Sequence, residues 1–521
     1  MAPLRVPAGV TKLIARFRRD EKGNIATIFA FSLLPILTAI GCATDYSLAT
    51  RMKAKMQSAA DAAAVASVSA NSIGYNAAIT MTSDGSVAAG VSDANNIFNG
   101  NLNNTTGYNN LSVSSTVVKT GATLTSTVQF SARVPTVFMN VVGWSALTIT
   151  GSSAASSSLP LYLDFYLMLD VSGSMGLPST DAEQTRLSAI NPDNKINYPG
   201  GCTLACHFTP SGSCGNGNQQ YPTNNMCLGY LISRTSQTGY KKILTNNSNK
   251  LPTYRLSSLP SSLYAYNSSY PNDPALTAVT SCATDGTDAC IQLRADAVGY
   301  AVNQLFITAN QTQKFQGQFR IGLYPFIQYL YPYFALTSSI NGDPNSAGTI
   351  NYAAANLASQ LDTDANASLG SGGTHFENAF PTMNTTITAV GDGSASNSTL
   401  PYVFLITDGA EDPQTKGING GSWAGSNHAT TLNPTTLCTP LKNRGITVSV
   451  LYIPYAPIQN PNASFAGNED GYANSNIANI PASLKSCASP GFFYTANTPA
   501  DITAALNQMF NHALVEAHIT N

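Results

Sequence analysis

The chain has few charged residues: they make up 10% of its 521 residues, and the formal net charge is −2. Binding to nucleic acid needs clustered Lys and Arg, so this composition argues against a nucleic-acid partner. Only five histidines occur, and there is no P-loop, no dinucleotide fingerprint and no G-x-S-x-G nucleophile elbow. We therefore expect a protein that is not an enzyme. The length predicts two to four domains, and the Asn, Ser, Thr and Gly content is typical of secreted or envelope proteins.

The nine cysteines are unevenly distributed. Cys42 lies in an apolar run, and the other eight form an even set, which predicts pairing in an oxidising compartment. Six of them lie between Cys202 and Cys290, where long apolar runs are rare and disulfides would substitute for a core. Their pairing is not fixed by the sequence. Cys202, Cys206 and His207 could instead begin a zinc site, although no second Cys/His pair completes it.

A basic segment precedes a long uncharged run at the N-terminus. Ile25–Thr44 has twenty residues without a charge, enough to span a bilayer as a helix, and six Lys and Arg residues come before it. The pattern predicts a cytoplasmic segment over residues 1–24, a transmembrane helix over residues 25–44 and an exported remainder. The alternatives are a buried helix of a soluble domain, a cleaved signal peptide and a lipoprotein processed at Cys42.

Residues 45–158 predict a helical extension followed by a small α+β region. Asp45–Ala70 is rich in helix formers and lacks Gly and Pro, so we expect the membrane helix to continue outward without a break. Residues 71–110 are rich in Asn and Gly and predict loops. Alternation of apolar residues with Ser and Thr predicts half-buried strands at Leu111–Val118, Ala122–Val134 and Ser145–Ser152. An Ala/Ser linker is expected over Ser152–Ser158.

From residue 159 onward, strand-like apolar runs alternate with helical segments. This alternation predicts an α/β fold over residues 159–516, with a doubly wound, mostly parallel sheet covered on both faces. Residues 177–289 interrupt it as a cysteine-rich insertion. After the first apolar run, which ends at Asp170, the expected strands are Phe319–Tyr329, Tyr402–Thr407, Ile446–Ile453 and Gly491–Tyr494. The expected helices are Cys290–Thr308, Tyr352–Leu361, Pro434–Arg444 and Pro499–Val515.

Oxygen-bearing side chains follow three of these segments. Asp170, Ser172 and Ser174 form a D-x-S-x-S turn after the first strand, Thr374 ends a G-G-T sequence, and Asp408 follows a later strand. Carboxylate and hydroxyl oxygens are the ligands that Mg²⁺, Mn²⁺ and Ca²⁺ prefer. Because ligands of open α/β sheets bind beyond the carboxyl ends of the strands, we expect these side chains to form a metal site. The alternative is that they cap helices and turns.

These three motifs, in this order, resemble the metal-ion-dependent adhesion site of von Willebrand factor type A domains. The resemblance implies that Ser172, Ser174 and Thr374 bind the cation directly or nearly so, and that Asp170 and Asp408 hold it partly through waters. It also implies that a partner's carboxylate takes the remaining position. We expect Mg²⁺, or else Mn²⁺ or Ca²⁺, because a shell rich in hydroxyls leaves the ion electrophilic.

Two cysteines flank the last part of this domain. Cys438 lies on the helix before strand Ile446–Ile453, and Cys487 precedes strand Gly491–Tyr494. Neighbouring elements of one sheet make a disulfide geometrically easy, so we expect the two residues to be bonded. Two free buried thiols are the alternative.

The N-terminal stretches RFRRDEKGNIATIFAFSLLPIL and LATRMKAKMQSAADAAAVAS resemble the start of TadG-type proteins of bacterial tight-adherence (Flp) pili. That family joins such a membrane segment to an exported von Willebrand A domain. The resemblance implies a bacterial inner-membrane protein that assembles or anchors a pilus and whose partners are pilus or envelope components. Gly23 resembles a pilin-like processing site, but Ile28 stands where Glu is usual, so we expect the anchor to be retained.

Other functions remain open. In the insertion, tyrosines are scattered among Asn, Ser and Gly. This composition is compatible with a contact surface or with a small core that disulfides hold together. A surface adhesin that binds host or extracellular ligands through the metal site and the insertion is therefore the alternative function. His375, beside Thr374, would suit a metal-dependent hydrolase with a general base. We expect instead that His375 lines the rim of the ligand site and that Glu377, Glu411 and Asp412 are solvated loop charges.

Overall fold

The computed structural model describes residues 24–177, 179–180, 293–344, 346–362, 366–413, 429–455, 457 and 469–520. The N-terminal basic segment and the insertion, with its clustered cysteines, tyrosines and candidate zinc ligands, lie outside the described residues. The chain divides into two compact units between Leu159 and Pro160.

The first unit combines helices with a four-stranded antiparallel sheet in the order β1-β2-β3-β4. Its helices are α1 (Asn24–Val68), α2 (Ile73–Ile79) and α3 (Ala88–Asn101). Its strands are β1 (Gly85–Ser86), β2 (Asn109–Thr120), β3 (Thr123–Pro135) and β4 (Ala146–Ser158). A short 3-10 helix, Met139–Val142, lies between β3 and β4.

The C-terminal half of α1 packs on this sheet through small side chains. Met56, Ala60 and Ala63 follow one another at helical spacing and are fully buried. Opposite them, Gly151 on β4 has no room for a Cβ atom, which would overlap the side chain of Gln57. Alanine on the helix and glycine on the strand therefore let the two backbones approach closely.

The N-terminal part of α1 is apolar and exposed. Ile25, Phe29 and Phe31 point away from the rest of the unit, and Phe31 is 80% exposed. Among the described residues, this is the one helix that is long and apolar enough to cross a membrane, and only 6% of its most apolar stretch is buried. The expected unbroken helix is confirmed as far as Val68. The exposure argues against a core helix of a soluble domain, which would bury its apolar face.

Two expectations for the first unit are wrong. Residues 71–110 contain α2 and α3 rather than loops alone. Helix α3 buries only Gly90, Ala94 and Phe98, which are spaced four residues apart on one face. Because asparagines are frequent in this stretch, its helical periodicity is weak in the sequence. Ser152–Ser158 is part of β4 rather than a linker, because the backbone pairs with β3 along its whole length and that ladder does not require large apolar side chains.

The second unit contains helices of very different lengths and a central sheet. Its strands are β5 (Leu163–Asp170), β6 (Phe319–Phe326), β7 (Phe334–Thr337), β8 (Gly373–Thr374), β9 (Leu400–Thr407), β10 (Ala410–Pro413), β11 (Thr430–Thr431), β12 (Thr447–Tyr452) and β13 (Phe493–Thr495). Its α-helices are α4 (Arg294–Thr312), α5 (Ile350–Ala355), α6 (Phe376–Thr386), α7 (Pro434–Leu437), α8 (Thr439–Asn443), α9 (Glu469–Asn476), α10 (Ile480–Cys487) and α11 (Pro499–Thr520).

Six strands form the main sheet, in the order β7-β6-β5-β9-β12-β13. Strand β5 pairs in parallel with β6 on one side and with β9 on the other, and only the edge strand β7 is antiparallel. The expected mixed α/β class with a mostly parallel sheet is confirmed. The chain builds the sheet outward from β5 in one direction and then from β9 in the other. The carboxyl ends of β5 and β9 therefore form the topological switch point, where ligands of such sheets bind.

Strand β5 is buried on both faces, as a central parallel strand must be. On one face, Phe165 packs against Tyr402 and against Phe510 of α11, with ring centroids 5.6 and 5.1 Å away. On the other face, Met168 belongs to the core that includes Phe376 of α6. Alternate residues of one strand thus enter two separate cores, which fixes the register of β5 and the position of Asp170 at its end.

Cys438 and Cys487 form the expected disulfide, and their Cα atoms are 5.2 Å apart. Cys438 lies between α7 and α8, and Cys487 is the last residue of α10. Both residues are fully buried. The bond ties two helices that pack on the same core, and the alternative of two free thiols is wrong.

Replacing both Cys438 and Cys487 with serine should lower the free energy of unfolding by about 4 kcal/mol, because the bond closes a loop with a sequence separation of 49. Urea unfolding of the parent and the variant measures the difference. Cys42→Ser is the matched control, since Cys42 is not bonded, and it should leave the stability of the second unit unchanged. A double variant as stable as the parent would contradict this role of the bond.

Candidate metal centre

The end of the central strand and the end of its neighbour each carry a buried carboxylate. Asp170 is the last residue of β5, and Asp408 directly follows β9. Asp170 is 1% exposed and Asp408 is 0% exposed. The parallel register pairs Leu169 with Ile406, so the chain reaches Asp170 and Asp408 at the same edge of the sheet. The fold therefore concentrates two acidic groups at the switch point.

Asp170 is held in place by two hydrogen-bond donors. The backbone N–H of Ser172 donates to Asp170 Oδ1 at 3.0 Å. The hydroxyl of Thr407, the last residue of β9, donates to Asp170 Oδ2 at 2.6 Å and accepts from the N–H of Gly409 at 2.8 Å. The carboxylate on one strand is thus fixed by the last residue of the neighbouring strand.

The two serines of the D-x-S-x-S turn lie beside this carboxylate. Their hydroxyl oxygens are 3.2 Å apart, and both residues are buried. A 3-10 helix over Gly173–Gly176 turns the chain so that Ser172 and Ser174 face the same point. The alternative that these hydroxyls cap a helix is not seen at Ser172, which is the N-cap residue of this short helix but makes no side-chain cap hydrogen bond.

Within the described ranges, Asp408 has one cationic neighbour. Arg294 Nη1, at the start of α4, lies 3.5 Å from Asp408 Oδ2, and the guanidinium lies over the ring of Tyr455 at 5.3 Å from its centroid. Burial raises the pKa of Asp408, and Arg294 and then the hydroxyls of Ser174 and Tyr455 oppose that rise. Within the described part of the chain, however, neither Asp408 oxygen has a hydrogen bond of normal distance and angle. Both oxygens of Asp408 are therefore buried without a hydrogen bond among the described residues.

The electrostatics of the pair follow from burial. Burial, and then the charge of Asp408, raise the pKa of Asp170 to about 7. Burial also raises the pKa of Asp408 and outweighs the opposing effect of Arg294. The Arg294 guanidinium lies near Asp408 only, so ionising both buried carboxylates is costly in a medium of low polarity. A divalent cation between them would remove that cost, so the donor set fits a metal.

Thr374 is connected to this cluster through Asp362. Thr374 lies in β8, where it pairs with Asp412 of β10, and it is buried. The backbone N–H of Asp362 donates to the carbonyl of Val171 at 3.0 Å, and its carboxylate accepts from the N–H of Gly372 at 3.0 Å. Asp362 therefore joins the D-x-S-x-S turn to the loop that carries Thr374. Sequence reasoning missed this residue, because no motif marks it.

The structure thus brings four predicted ligands, Asp170, Ser172, Ser174 and Asp408, into one cluster and attaches the loop of Thr374 to it. No group of three or more His, Cys, Asp or Glu residues suited to a metal occurs in the described ranges. The candidate centre is of another kind, since it combines two carboxylates with hydroxyls. Such a donor set favours hard cations such as Mg²⁺.

His375 does not line an open rim, because it is buried. Its Nδ1 lies 2.6 Å from Glu377 Oε1, and its Nε2 lies 3.1 Å from the carbonyl oxygen of Gly372. Glu377 Oε1 and the carbonyl oxygen of Gly372 can each accept a hydrogen bond from the ring. Burial lowers the pKa of His375, but Glu377 and Gly372 outweigh it and the pKa is raised. Both ring nitrogens are therefore engaged by neighbouring groups of the protein.

The acidic residues after Asp408 are also more buried than expected. Glu411 and Asp412 lie in β10 rather than in a solvated loop. Asp412 accepts a hydrogen bond from the N–H of Ala429 at 3.1 Å. Burial, and then the charge of Glu377, raise the pKa of Glu411 to about 7. These residues brace the loops beside the candidate centre.

Comparison with known protein families gives one match, over α1. Residues 23–70 match the family described as putative Flp pilus-assembly TadE/G-like. The match covers the apolar part of the helix and its continuation, so this stretch is similar to that family. No curated protein gives a significant match to the chain.

Several solved structures share a limited likeness with the chain. The pilus adhesin SpaC of Lactobacillus rhamnosus GG is 10% identical with a TM-score of 0.31, over 78% of this chain and 34% of that one. Proximal thread matrix protein 1 of the mussel byssus is 16% identical with a TM-score of 0.25, over 42% and 43%. The vWF domain of the type V pili tip protein Mfa5 of Porphyromonas gingivalis is 13% identical with a TM-score of 0.24, over 42% and 89%. The chain therefore spans less than half the length of the first two.

Replacing Asp170 with asparagine should stabilise the metal-free protein at high pH. The unfolded carboxyl ionises near pH 4, whereas the folded carboxyl keeps its proton until about pH 7, so ionisation destabilises the folded state progressively across this interval. In EDTA, the variant should therefore gain stability relative to the parent as the pH rises from 4 to 8, and the gain should vanish below pH 4. Urea unfolding at each pH measures it.

Asp392→Asn is the control with the opposite sign. Burial of Asp392 is outweighed by hydrogen bonds from Ser394 and Ser398, which lower its pKa. This variant should be less stable than the parent at neutral pH, and the difference should disappear as the pH falls below the folded pKa. If Asp170→Asn were also less stable than the parent at neutral pH, the charge of the buried pair would not destabilise the folded state, and the account would be wrong.

Proposed function

We propose that this chain is a membrane-anchored protein whose exported α/β unit binds protein partners through a divalent cation, in the assembly or anchoring of a bacterial tight-adherence pilus. The observation that carries the metal part is the buried pair of Asp170 and Asp408, of which Asp408 alone has a cationic side chain within ion-pair distance among the described residues. The pilus part is supported by the family match over residues 23–70.

The fold and the motif order support an adhesion-type metal site. The strand order and the three loops at the switch point resemble a von Willebrand A domain, in which Asp170, Ser172, Ser174, Thr374 and Asp408 would hold the ion. Mg²⁺ is the first choice, and Mn²⁺ or Ca²⁺ accept the same oxygen donors. When bound, such an ion would act as a Lewis acid, and a partner's carboxylate could take its open coordination position.

The topology that we propose places the N-terminus in the cytoplasm, α1 across the inner membrane and the rest of the chain outside. The basic residues before α1 support this orientation, since positive charge is retained on the cytoplasmic side. The disulfide between Cys438 and Cys487 supports export of the second unit, because such bonds persist in oxidising compartments.

We propose binding rather than catalysis at this site. A metal-dependent hydrolase needs a base that faces the metal-bound reactant, and His375, which follows Thr374, has both nitrogens engaged by Glu377 and Gly372. In the proposed complex, a carboxylate of the partner would complete the coordination of the ion, and the contact would break no bond in the partner.

Adding Mg²⁺ to the metal-free protein should stabilise the second unit, by about 2.7 kcal/mol at a concentration one hundred times the Kd, because a ligand that binds only the folded state shifts the unfolding equilibrium. Thermal unfolding with and without Mg²⁺ measures this. Asp170→Ala and Thr374→Ala should lose the effect. Ser394→Ala, which removes a hydroxyl from an exposed loop, is the control and should keep it. Equal stabilisation of all four proteins would contradict the site.

A pull-down with the full chain as bait tests the role of the site in partner binding. From envelope extracts of pilus-forming bacteria, the parent should capture pilus or envelope proteins in Mg²⁺ and release them in EDTA, and Asp170→Ala should capture none. Capture that persists in EDTA would contradict metal-dependent binding. Capture of host or extracellular ligands in place of pilus components would favour the surface adhesin.

A further inference from the structure

The connection between β3 and β4 exposes an apolar tip, which we define as residues 137–144. Val141 is 84% exposed, Trp144 is 60% exposed and Phe138 is 47% exposed, and Val137 and Val142 are exposed as well. No charged residue occurs between Pro135 and Ala146. A contiguous apolar patch of this kind on a small unit marks a surface that contacts a partner or a membrane.

The tip is fastened to α1 at the outer end of its apolar stretch. The carboxylate of Asp45 accepts hydrogen bonds from the backbone N–H groups of Val137, Phe138 and Met139, at 3.1, 2.9 and 2.7 Å. Asp45 is the first residue after Ile25–Thr44, the uncharged run. Three donors on one carboxylate fix both the position and the orientation of the tip relative to the helix.

The side chain of Phe138 extends from this attachment toward the N-terminus of α1, alongside the apolar stretch. The side chain packs on Gly41, where a Cβ atom would overlap the Cβ and Cγ atoms of Phe138. Gly41 precedes Asp45 by four residues, a rise of about 6 Å along the helix. Part of the tip therefore lies beside a residue of the membrane-spanning stretch rather than beyond its end.

We infer that the tip of the β3–β4 connection inserts into the outer interface of the same bilayer that α1 crosses. This inference rests on the membrane anchor of the proposed function. The lipid is favoured as the occupant because the exposed apolar surface of the tip is continuous with the exposed apolar surface of α1 at Gly41. Trp144 suits the level of the headgroups, where tryptophan is enriched. The insertion would hold the first unit against the membrane surface.

The chain has two tryptophans, so one replacement isolates the reporter. Trp423→Phe leaves Trp144 alone, and the full chain is reconstituted into phosphatidylcholine vesicles with or without bromine on the upper acyl carbons. We expect emission at short wavelength that the brominated lipid quenches strongly. Adding Asp45→Ala, which removes the attachment, should reduce the quenching severalfold. Asp84→Ala is the matched control, because Asp84 accepts a backbone hydrogen bond from Gly121 at another turn of the sheet, and it should leave the quenching unchanged.

Flotation of the same vesicles separates the possible failures. A chain that floats with the vesicles but whose Trp144 emission is not quenched by brominated lipid would overturn the inference and leave the anchor intact. Emission at short wavelength without quenching would also overturn it and would indicate a protein, such as a second copy, over the tip. A chain that does not float at all would overturn the anchor and the inference together.

Discussion

Two buried carboxylates at the ends of adjacent strands are the constraint on which the second unit depends. Asp170 and Asp408 meet because the sheet is built outward from β5 and β9 in opposite directions, which leaves their carboxyl ends together. Burial of two like charges raises the free energy of the folded state unless a cation lies nearby. Arg294 lies close enough to Asp408 to balance its charge. Asp170 is instead held by hydrogen bonds from the Thr407 hydroxyl and the Ser172 backbone N–H. The stability of the fold and the chemistry of the site are thus coupled at one point.

The first unit obeys a different constraint, which is close approach of backbones. Alanines along α1 and Gly151 on β4 let helix and sheet pack tightly, whereas Gly41 makes room for Phe138 at the other end of the sheet. The same helix is therefore apolar and exposed at one end and a core element at the other, and Asp45 marks the transition. A long helix with this division needs no flexible connection between its exposed apolar end and the unit that it carries.

Much of this architecture could be predicted from the sequence, and the failures have physical causes. Strand β5 was predictable because a fully buried strand reads as an unbroken apolar run, and Asp170 and Asp408 lie at the ends of strands that this pattern reveals. Asp362 could not be found, because its backbone N–H donates to Val171, far away in the chain, and no motif marks it. The same holds for Arg294, whose partner is Asp408. Helix α3 was missed because its buried line is narrow and lies among asparagines. The pairing of β4 through its Ala/Ser end depends on backbone hydrogen bonds, which composition does not encode.

The central claim is that the buried pair holds a divalent cation in an all-oxygen site, and electron paramagnetic resonance of bound Mn²⁺ tests it most directly. Titrated into the metal-free protein, Mn²⁺ should bind at a single tight site, its spectrum should show no modulation from a nitrogen ligand, and Mg²⁺ should displace it. The Asp170→Asn and Asp408→Asn variants should lose the site. Unchanged binding in both variants, or a nitrogen ligand on the ion, would contradict the account.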